Sequence, residues 1–201
     1  MKQISISGVT RTELGKKAAK AARRNEEVPC VLYGEQKDEN GKPVAIPFSV
    51  KYNELSKLIF TPHIYLVDLT IDGVDHKAVL REVQFHPVKD TILHVDFYEV
   101  HPERPIVMAV PIAPQGLAEG VRAGGRLSTQ VRKLKVRALY EQIPEKLVID
   151  VTNLGLAKSI KVGDLHFEGL ELVTPKEVVV VSVKMTRAAM GAAAAAAKAE
   201  K

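Results

Sequence analysis

Positive charge is concentrated in one short stretch near the start of the chain. Between Arg11 and Arg24 there are six cations and a single acid, Glu13. The cations are Arg11, Lys16, Lys17, Lys20, Arg23 and Arg24, and we call this stretch the basic segment. A charged helix face in solvent usually interleaves its cations with carboxylates, so cations separated by small alanines favour contact with a phosphate backbone. A solvated helix face is the alternative interpretation of the same residues.

Groups that could contact bases and sugars occur elsewhere in the first hundred residues. Tyr33 could stack or hydrogen-bond, and His94 and Asp96 could hydrogen-bond to base edges or 2′-hydroxyls. A nucleic-acid interface needs such groups once phosphate contacts have set the register of the protein on the helix. Together with the basic segment, these residues favour RNA as the partner.

Residues suited to catalysis or metal binding do not form a recognisable set. The six histidines lack the i, i+4 spacing of a zinc-protease helix, and the single cysteine, Cys30, excludes a zinc ribbon. The Gly-x-Ser-x-Gly motif of a nucleophile elbow is also absent. Gly120–Gly125 is followed by Arg126 and Leu127 where a phosphate loop has Lys and Ser or Thr, so we interpret it as a flexible basic loop. We therefore expect no enzyme, no metal and no cofactor.

The composition is typical of a globular protein in a reducing compartment. The 201 residues are 46% hydrophobic, and 29 Lys and Arg against 24 Asp and Glu give a net charge of +5. Because only 5% of the chain is aromatic and Trp is absent, we expect a core of Val, Ile and Leu, with Cys30 as a small buried residue. One cysteine cannot form an intramolecular disulfide, and no apolar run reaches the roughly 18 residues of a membrane helix. Since the first residues do not resemble a signal peptide, we expect a cytoplasmic protein with no membrane partner.

Alternating apolar residues predict a strand-rich first half. The predicted strands are Gln3–Ser7, Val28–Gly34 with Gly34 as its end, Ile46 to Val50, Ile64–Ile71, Lys77–Gln84, and Leu93 to Phe97 with His94, Asp96 and Tyr98 on its polar face. Asp72-Gly73 predicts a tight hairpin turn, and Glu35–Pro43 predicts a surface hairpin loop. Gly15 precedes a helix-competent stretch in the basic segment, and Asn53 is predicted to cap a second short helix.

Two prolines within residues 101–105 predict a linker and a domain boundary. The predicted division is a first domain at 1–103, a second at 104–186 and a disordered alanine-rich tail at 187–201. In the second domain we predict strands at Ile106–Ile112, Val131–Leu139, Leu147–Val151 and Val178–Val183, with a Gly-rich loop at Gln115–Arg126. Because helices and strands do not alternate, the predicted fold is mainly β with a few short helices.

Three groups of motifs, in order along the chain, resemble one bacterial ribosomal family. The first is Arg11-Thr12-Glu13-x-Gly15-Lys16 with Lys20 and Arg23, followed by Val28-Pro29-Cys30-Val31-Leu32-Tyr33-Gly34. The others are Val83–Pro87 with His94–Tyr98, and Gly120–Gly125 with Leu127. The ordered set is similar to the large-subunit proteins that bind 5S ribosomal RNA, in the long two-domain form known as general stress protein Ctc.

The resemblance implies a closed or nearly closed N-terminal β-barrel that binds 5S ribosomal RNA in the central protuberance of the large subunit, followed by a second β-rich domain. The RNA-binding residues that it implies are Arg11, Lys16, Lys20, Arg23, Arg24, Tyr33, Gln84, His94 and Asp96. The cations would lie on the RNA backbone, while Tyr33 and Gln84 would line the same face. His94 and Asp96 would hydrogen-bond to the minor-groove side. Where many members have two arginines this chain has Lys20-Ala21, and Arg24 would compensate for the lost arginine.

The sequence leaves a second class of function open, a stress-related ribosome-associated adaptor whose second domain contacts protein or transfer RNA. Its contact residues would be Arg122, Arg126, Lys133, Lys135 and Arg137. A solvated strand face explains the last three residues equally well. Neighbouring large-subunit proteins and other ribosomal RNA are further expected partners. Separate titrations of the two predicted domains would distinguish the classes, because an adaptor would have its main partner on the second domain.

Overall fold

The computed structural model describes residues 1–37 and 43–187. The tip of the predicted 35–43 loop and the alanine-rich tail beyond residue 187 lie outside the described residues. The chain forms two compact units, one made of Met1–Ile106 with Leu139–Glu141 and one made of Val107–Ala138 with the described residues from Gln142 onward. The predicted boundary between residues 103 and 104 stays a prediction. Within the described part of the chain, no helix is long and apolar enough to cross a membrane.

The first unit is a closed six-stranded barrel with two short helices. Its strands are β1 (Lys2–Thr10), β2 (Glu27–Lys37), β3 (Pro43–Lys51), β4 (Tyr65–Ile71), β5 (Val74–Phe85) and β6 (Ile92–Glu99). The helices are α1 (Lys16–Arg24) and α2 (Tyr52–Ile59). The strand order is β1-β3-β2-β6-β5-β4, with parallel pairing of β1 with β4 and of β2 with β6. The predicted barrel is confirmed.

The barrel interior is filled by side chains from all six strands and from α2. Phe48 and Phe97 are fully buried, with ring centroids 5.9 Å apart, and the residues around them are mostly Val, Ile and Leu. Cys30 is fully buried in the same cluster, as predicted. Burial raises the pKa of its thiol, as does Asp96, and Arg11 lowers it. Because the reactive form of a cysteine is the thiolate, Cys30 is an inert packing residue.

The predicted hairpin turn joins β4 to β5. Asp72 and Gly73 have φ values of 49° and 86°, and positive φ at both central residues is the signature of a type I′ turn. The Asp72 carboxylate also accepts hydrogen bonds from the Thr10 amide at 3.3 Å. The turn thus joins two strands and tethers the end of β1, from which the basic segment departs.

Two local predictions are wrong, and in the first of them packing overrides the residue type. Gly34 does not end a strand, since β2 runs on to Lys37. A Cβ atom at Gly34 would lie 3.1 Å from Glu99, so the glycine permits close packing of β2 against β6 rather than a turn. Asn53 does not cap α2, because the cap position is Lys51 and Asn53 lies in the first turn. There the Asn53 carbonyl accepts a hydrogen bond from Ser56 Oγ at 2.9 Å.

The second unit consists of two small sheets. Its strands are β7 (Ile106–Gln115), β8 (Arg126–Thr129), β9 (Lys133–Ala138), β10 (Leu147–Asp150), β11 (Ser159–Lys161), β12 (Glu171–Leu172) and β13 (Val179–Lys184). They form sheets of order β10-β7-β9-β12 and β11-β13-β8. Its described residues also form a one-turn helix, α3 (Glu119–Arg122), and a 3-10 turn at Val162–Asp164. The predicted strand-dominated fold is confirmed.

The Gly-rich stretch predicted as a flexible loop is in fact folded. It contains α3, and Gly120 within that helix is buried. A Cβ atom at Gly120 would lie 2.6 Å from the Gly155 backbone, and one at Gly125 would lie 2.6 Å from the Gly120 carbonyl. These glycines therefore allow two backbone segments to approach closely. The spacing of glycines in a sequence does not distinguish this packing role from flexibility.

Substitution of Gly8 tests the packing inside the barrel. A Cβ atom at Gly8 would lie 2.6 Å from the Phe48 ring, which is fully buried and has little room to move. We expect Gly8→Ala to lower the free energy of unfolding by about 1–3 kcal/mol through overpacking. Gly155→Ala is the matched control, because its Cβ would meet only Lys158 Cγ at 3.7 Å. Urea denaturation followed by circular dichroism measures both, and equal stability of the two variants would contradict the packing argument.

Candidate nucleic-acid interface

The basic segment folds mainly as α1, which begins after Gly15 as predicted. Gly15 has φ 106°, a left-handed conformation that glycine adopts without steric cost. All nine residues of α1 are exposed or half-buried. Its half-buried residues include Ala18, Ala19 and Ala22, and α1 packs against β2. Small alanines thus form the face nearest the barrel, and the cations lie toward solvent.

The charges in the first turn of α1 do not serve the stability of the helix. Lys16 and Lys17 occupy the first turn, where the positive end of the helix dipole disfavours cations by roughly 0.3–1 kcal/mol each. Arg23 and Arg24 lie in the last turn, where the dipole favours them. A helix of nine residues is marginal by itself in water, so α1 depends on its contacts with the barrel. Cations at the unfavourable end of a helix are typical of a surface that binds an anion.

One hydrogen bond attaches the C-terminal end of α1 to β6. Arg23 Nε donates to the Leu93 carbonyl at 3.0 Å, which joins residues 70 positions apart in the chain. Leu93 directly precedes His94. The bond uses one guanidinium nitrogen, so the side chain anchors the helix and keeps its other donors and its positive charge at the start of β6.

Arg11 lies at the opposite end of the basic segment and is half-buried. Its amide donates to the Pro47 carbonyl at 3.0 Å, and its Nη2 donates to the Glu13 carbonyl at 3.2 Å. Pro47 pairs with Val31 on β2, and Val31 pairs with Asp96 on β6. Arg11 is therefore three inter-strand steps from Asp96, roughly 14 Å along the sheet at the usual strand spacing.

The register of three neighbouring strands brings the other predicted residues together. On β5 and β6 Gln84 lies opposite His94, and on β2 and β6 Tyr33 lies opposite Tyr98. Val95 and Phe97 are buried in the core, so their neighbours on β6 alternate to the outer side. The outer residues of these strands that could bind RNA are Tyr33, Gln84, His94 and Asp96, and we call them the polar face.

His94 and Asp96 form a hydrogen-bonded pair at the centre of the polar face. His94 Nδ1 lies 2.7 Å from Asp96 Oδ1, and the side chains are 26% and 28% exposed. This contact requires a proton on Nδ1, so in a neutral imidazole Nε2 is an acceptor. Nε2 and the second carboxylate oxygen can then accept hydrogen bonds from outside. Such a pair fits partners that donate, such as 2′-hydroxyls or the guanine amino group in a minor groove.

The Tyr33 hydroxyl is available as a hydrogen-bond donor at neutral pH. Its ring makes an edge contact with Tyr98, with centroids 6.0 Å apart and planes at 74°. Burial raises the pKa of Tyr33, Asp96 raises it further, Arg81 lowers it and Glu82 raises it. The hydroxyl therefore stays protonated at neutral pH.

Sequence reasoning missed Arg81, Glu82 and Tyr98 in this neighbourhood. The pairing of β5 with β6 shifts register between Leu80 and Glu82, which puts Glu82 opposite Asp96. A bulge interrupts the alternation from which exposed positions are predicted, so no simple sequence signal marks Arg81 and Glu82. Tyr98 was predicted on the polar side of its strand, and only the register shows that it supports Tyr33.

The five cations predicted in the second domain are divided among different elements. Lys133, Lys135 and Arg137 are exposed on β9 and alternate with buried Leu134, Val136 and Ala138, as predicted. Arg137 Nη1 pairs with Glu171 Oε2 at 3.4 Å, which partly neutralises that end of the strand. Arg122 lies in α3, and Arg126 lies on β8 in the other sheet.

The described residues contain no group of three or more His, Cys, Asp or Glu side chains that could hold a metal ion.

Comparisons with known proteins give matches along both halves of the chain. Residues 6–97 match the Ribosomal L25p family, and residues 105–187 match the family described as Ribosomal protein TL5, C-terminal domain. The chain is 62% identical over 198 residues to large ribosomal subunit protein bL25 of Phocaeicola vulgatus, covering 98% of this chain and 100% of that protein. It is 55% identical over 203 aligned residues to bL25 of Bacteroides fragilis, covering 98% and 100%. With bL25 of Porphyromonas gingivalis the identity is 53% over 194 residues, covering 96% and 98%.

The charges around Tyr33 can be tested by titration. We expect Asp96→Asn to lower the pKa of Tyr33, because a negative charge that opposes ionisation is removed. Arg81→Gln should raise the same pKa, because a cation that favours the phenolate is removed. Burial remains in both variants, so the pKa of Tyr33 should stay above its ordinary value. Tyrosine ring carbon shifts followed by NMR against pH measure it, and a shift of the same sign in both variants would refute this account.

Proposed function

The chain belongs to the ribosomal L25p family, and we propose that it binds 5S ribosomal RNA through the basic segment and the polar face, in the central protuberance. Family membership confirms the resemblance to a long-form bacterial ribosomal protein. The protein is thus a structural constituent of the large ribosomal subunit, rather than an enzyme, and acts in the cytoplasm on the ribosome.

The observation that supports the proposal most directly is the hydrogen bond from Arg23 to the Leu93 carbonyl. It joins the cations of α1 to the strand that carries His94 and Asp96. Phosphate contacts and hydrogen bonds to sugars or bases can then occur side by side on one surface. RNA recognition needs that juxtaposition, since phosphates position the protein and the neighbouring groups test the shape of the RNA helix.

We propose that the cations of α1 follow the RNA backbone. Lys16, Lys20 and Arg24 are exposed along the helix, and their charges would release counterions from closely spaced phosphates. Arg23 would contribute its remaining guanidinium donors, and the half-buried Arg11 would contribute at the edge of the site. Lys20 makes a point contact rather than the planar fork of an arginine, so it would supply charge more than geometry.

The polar face would read the minor-groove side of an A-form helix, which is wide and shallow and displays the 2′-hydroxyls. His94 Nε2 and Asp96 can accept hydrogen bonds from these groups, directly or through water. Tyr33 would donate from its protonated hydroxyl, and Gln84, exposed opposite His94, can both donate and accept. DNA lacks the 2′-hydroxyls, so this arrangement favours RNA.

We further propose that residues 1–103 form the 5S-binding domain and that residues 104–186 contact other ribosomal components. Lys133 and Lys135 are exposed side by side on one face of β9 and suit ribosomal or transfer RNA. An adaptor role for this domain would require its cations, rather than those of α1, to determine the main affinity.

Charge variants of the full chain test the phosphate contacts. We expect Lys20→Gln to weaken binding to 5S ribosomal RNA and to reduce the slope of log K against log salt by about one unit. Lys57→Gln on α2 is the matched control, since Lys57 is also an exposed helical lysine. Arg23 is less suitable because its loss also detaches α1. Titrations across a salt series, with transfer RNA as competitor, measure the effect. If Lys20→Gln and its control behave alike, α1 does not contact the RNA backbone.

A variant of the polar face should behave differently. We expect His94→Ala to weaken 5S binding by about ten-fold while the salt slope stays almost unchanged, because a hydrogen bond is lost rather than a phosphate contact. The same salt titration measures both quantities. A fall in slope as large as that of Lys20→Gln would mean that His94 acts only as a charge.

A further inference from the structure

The turn that joins β5 to β6 is not held by buried side chains of its own. Residues 87–91 are all exposed, and Val88 is 84% exposed. Asp90 has φ 52°, a left-handed conformation that costs free energy for a residue with a Cβ atom. Hydrogen bonds, rather than packing, therefore determine the shape of this turn.

His86 makes the hydrogen bonds that close the turn. Its Nδ1 accepts from the amides of Val88 and Lys89, both at 3.2 Å. Its own amide donates to the Thr91 carbonyl at 2.8 Å, and its carbonyl accepts from the Asp90 amide at 3.0 Å. The side chain and the backbone of one half-buried residue thus hold both sides of the turn.

The imidazole of His86 is fixed in one neutral form. An Nδ1 that accepts hydrogen bonds carries no proton, so the proton of the neutral ring is on Nε2. His94 has the opposite form, because its Nδ1 holds the proton of the contact with Asp96. The two histidines of this hairpin therefore use Nδ1 differently, and that of His86 serves the turn.

The closed turn produces a bulge on β6. Phe85 lies opposite Ile92 next to the turn. Gln84 lies opposite His94, so Leu93 is an extra residue on β6. A turn one residue longer would put Phe85 opposite Leu93 and remove the bulge. The conformation of the turn therefore decides whether Leu93 is paired with β5 or left out of the ladder.

The bulge is where α1 is attached. The carbonyl of the extra residue, Leu93, accepts the hydrogen bond from Arg23 Nε at 3.0 Å. A bulge leaves backbone groups unpaired, so this carbonyl is available to a side chain from another element. The turn itself lies close to the same end of α1, since Lys89 and Thr91 line one groove with Arg23.

We propose that His86 is a positioning residue of the RNA interface. By closing the turn it keeps Leu93 out of the ladder, so that Arg23 can hold α1 beside the polar face. The inference rests on the proposed function, which places RNA on α1 and the polar face. It requires no contact between His86 and the RNA.

Two substitutions of His86 in the full chain separate its acceptor from its bulk. His86→Asn keeps an acceptor bonded to Cγ, in the place of Nδ1, whereas His86→Leu has none. We expect His86→Leu to weaken binding of 5S ribosomal RNA about five-fold and to lower the salt slope, because the cations of α1 are no longer aligned. His86→Asn should bind like the unaltered chain. His166→Leu is the matched control, since His166 is exposed in the second unit.

NMR of the free protein tests the anchor without RNA. The Arg23 Nε–H signal should move in His86→Leu and stay in place in His86→Asn and in the control. Long-range proton–nitrogen spectra at about pH 8, where an ordinary imidazole is neutral, should find the ring proton of His86 on Nε2 and that of His94 on Nδ1. Thermal unfolding verifies that the variants are folded.

Several results would overturn the inference. An Arg23 signal unmoved in His86→Leu would mean that the turn does not position α1. Loss of the anchor in His86→Asn as well would exclude the acceptor as the cause, and loss of the anchor with unchanged 5S binding would show that RNA binding does not depend on it. If neither Lys20→Gln nor His94→Ala weakens 5S binding, the proposed function fails instead, while the Arg23 signal still tests the role of His86.

Discussion

The parallel pairing of β2 with β6 is the contact on which both the barrel and its outer face depend. Inside the barrel it sets Cys30 opposite Val95, and outside it sets Tyr33 opposite Tyr98. Because α1 directly precedes β2 in the chain, the pairing also brings the end of the helix to the start of β6. Arg23 can then reach the Leu93 carbonyl. One strand pair therefore builds the core and aligns the cations with the hydrogen-bonding groups.

The face built on this pairing combines two kinds of chemistry with different supports. The cations lie on a short helix that has little stability of its own and is held by small alanines and one arginine anchor. The hydrogen-bonding groups lie on strands whose opposite faces are buried, so their positions are rigid. The cations on the helix can follow a phosphate backbone of varying local shape. The hydrogen-bonding groups on the strands can recognise a helical groove of defined shape.

Glycine at close contacts is the recurrent packing device in both units. Gly8 lies against the Phe48 ring, Gly34 against Glu99, and Gly120 against the Gly155 backbone. In each case a methyl group would collide or press on a neighbour. Glycine lets neighbouring strands in a small core approach each other closely. It also leaves room for the Phe48 ring in a barrel lined mostly by aliphatic side chains.

The sequence by itself determined the local features of the protein. Alternation predicted β1, β6 and β9, Asp72-Gly73 predicted a tight hairpin turn, and cations without interleaved carboxylates predicted a basic, partly helical surface segment, because strand period and turn chemistry are local properties. Motif order was enough to indicate the family. Only the tertiary structure decided that Gly34 and Gly120 are packing contacts, that Glu82 faces Asp96, and that Arg23 joins α1 to β6. These features depend on register and bulges between distant strands, which are set by the collective packing of the barrel.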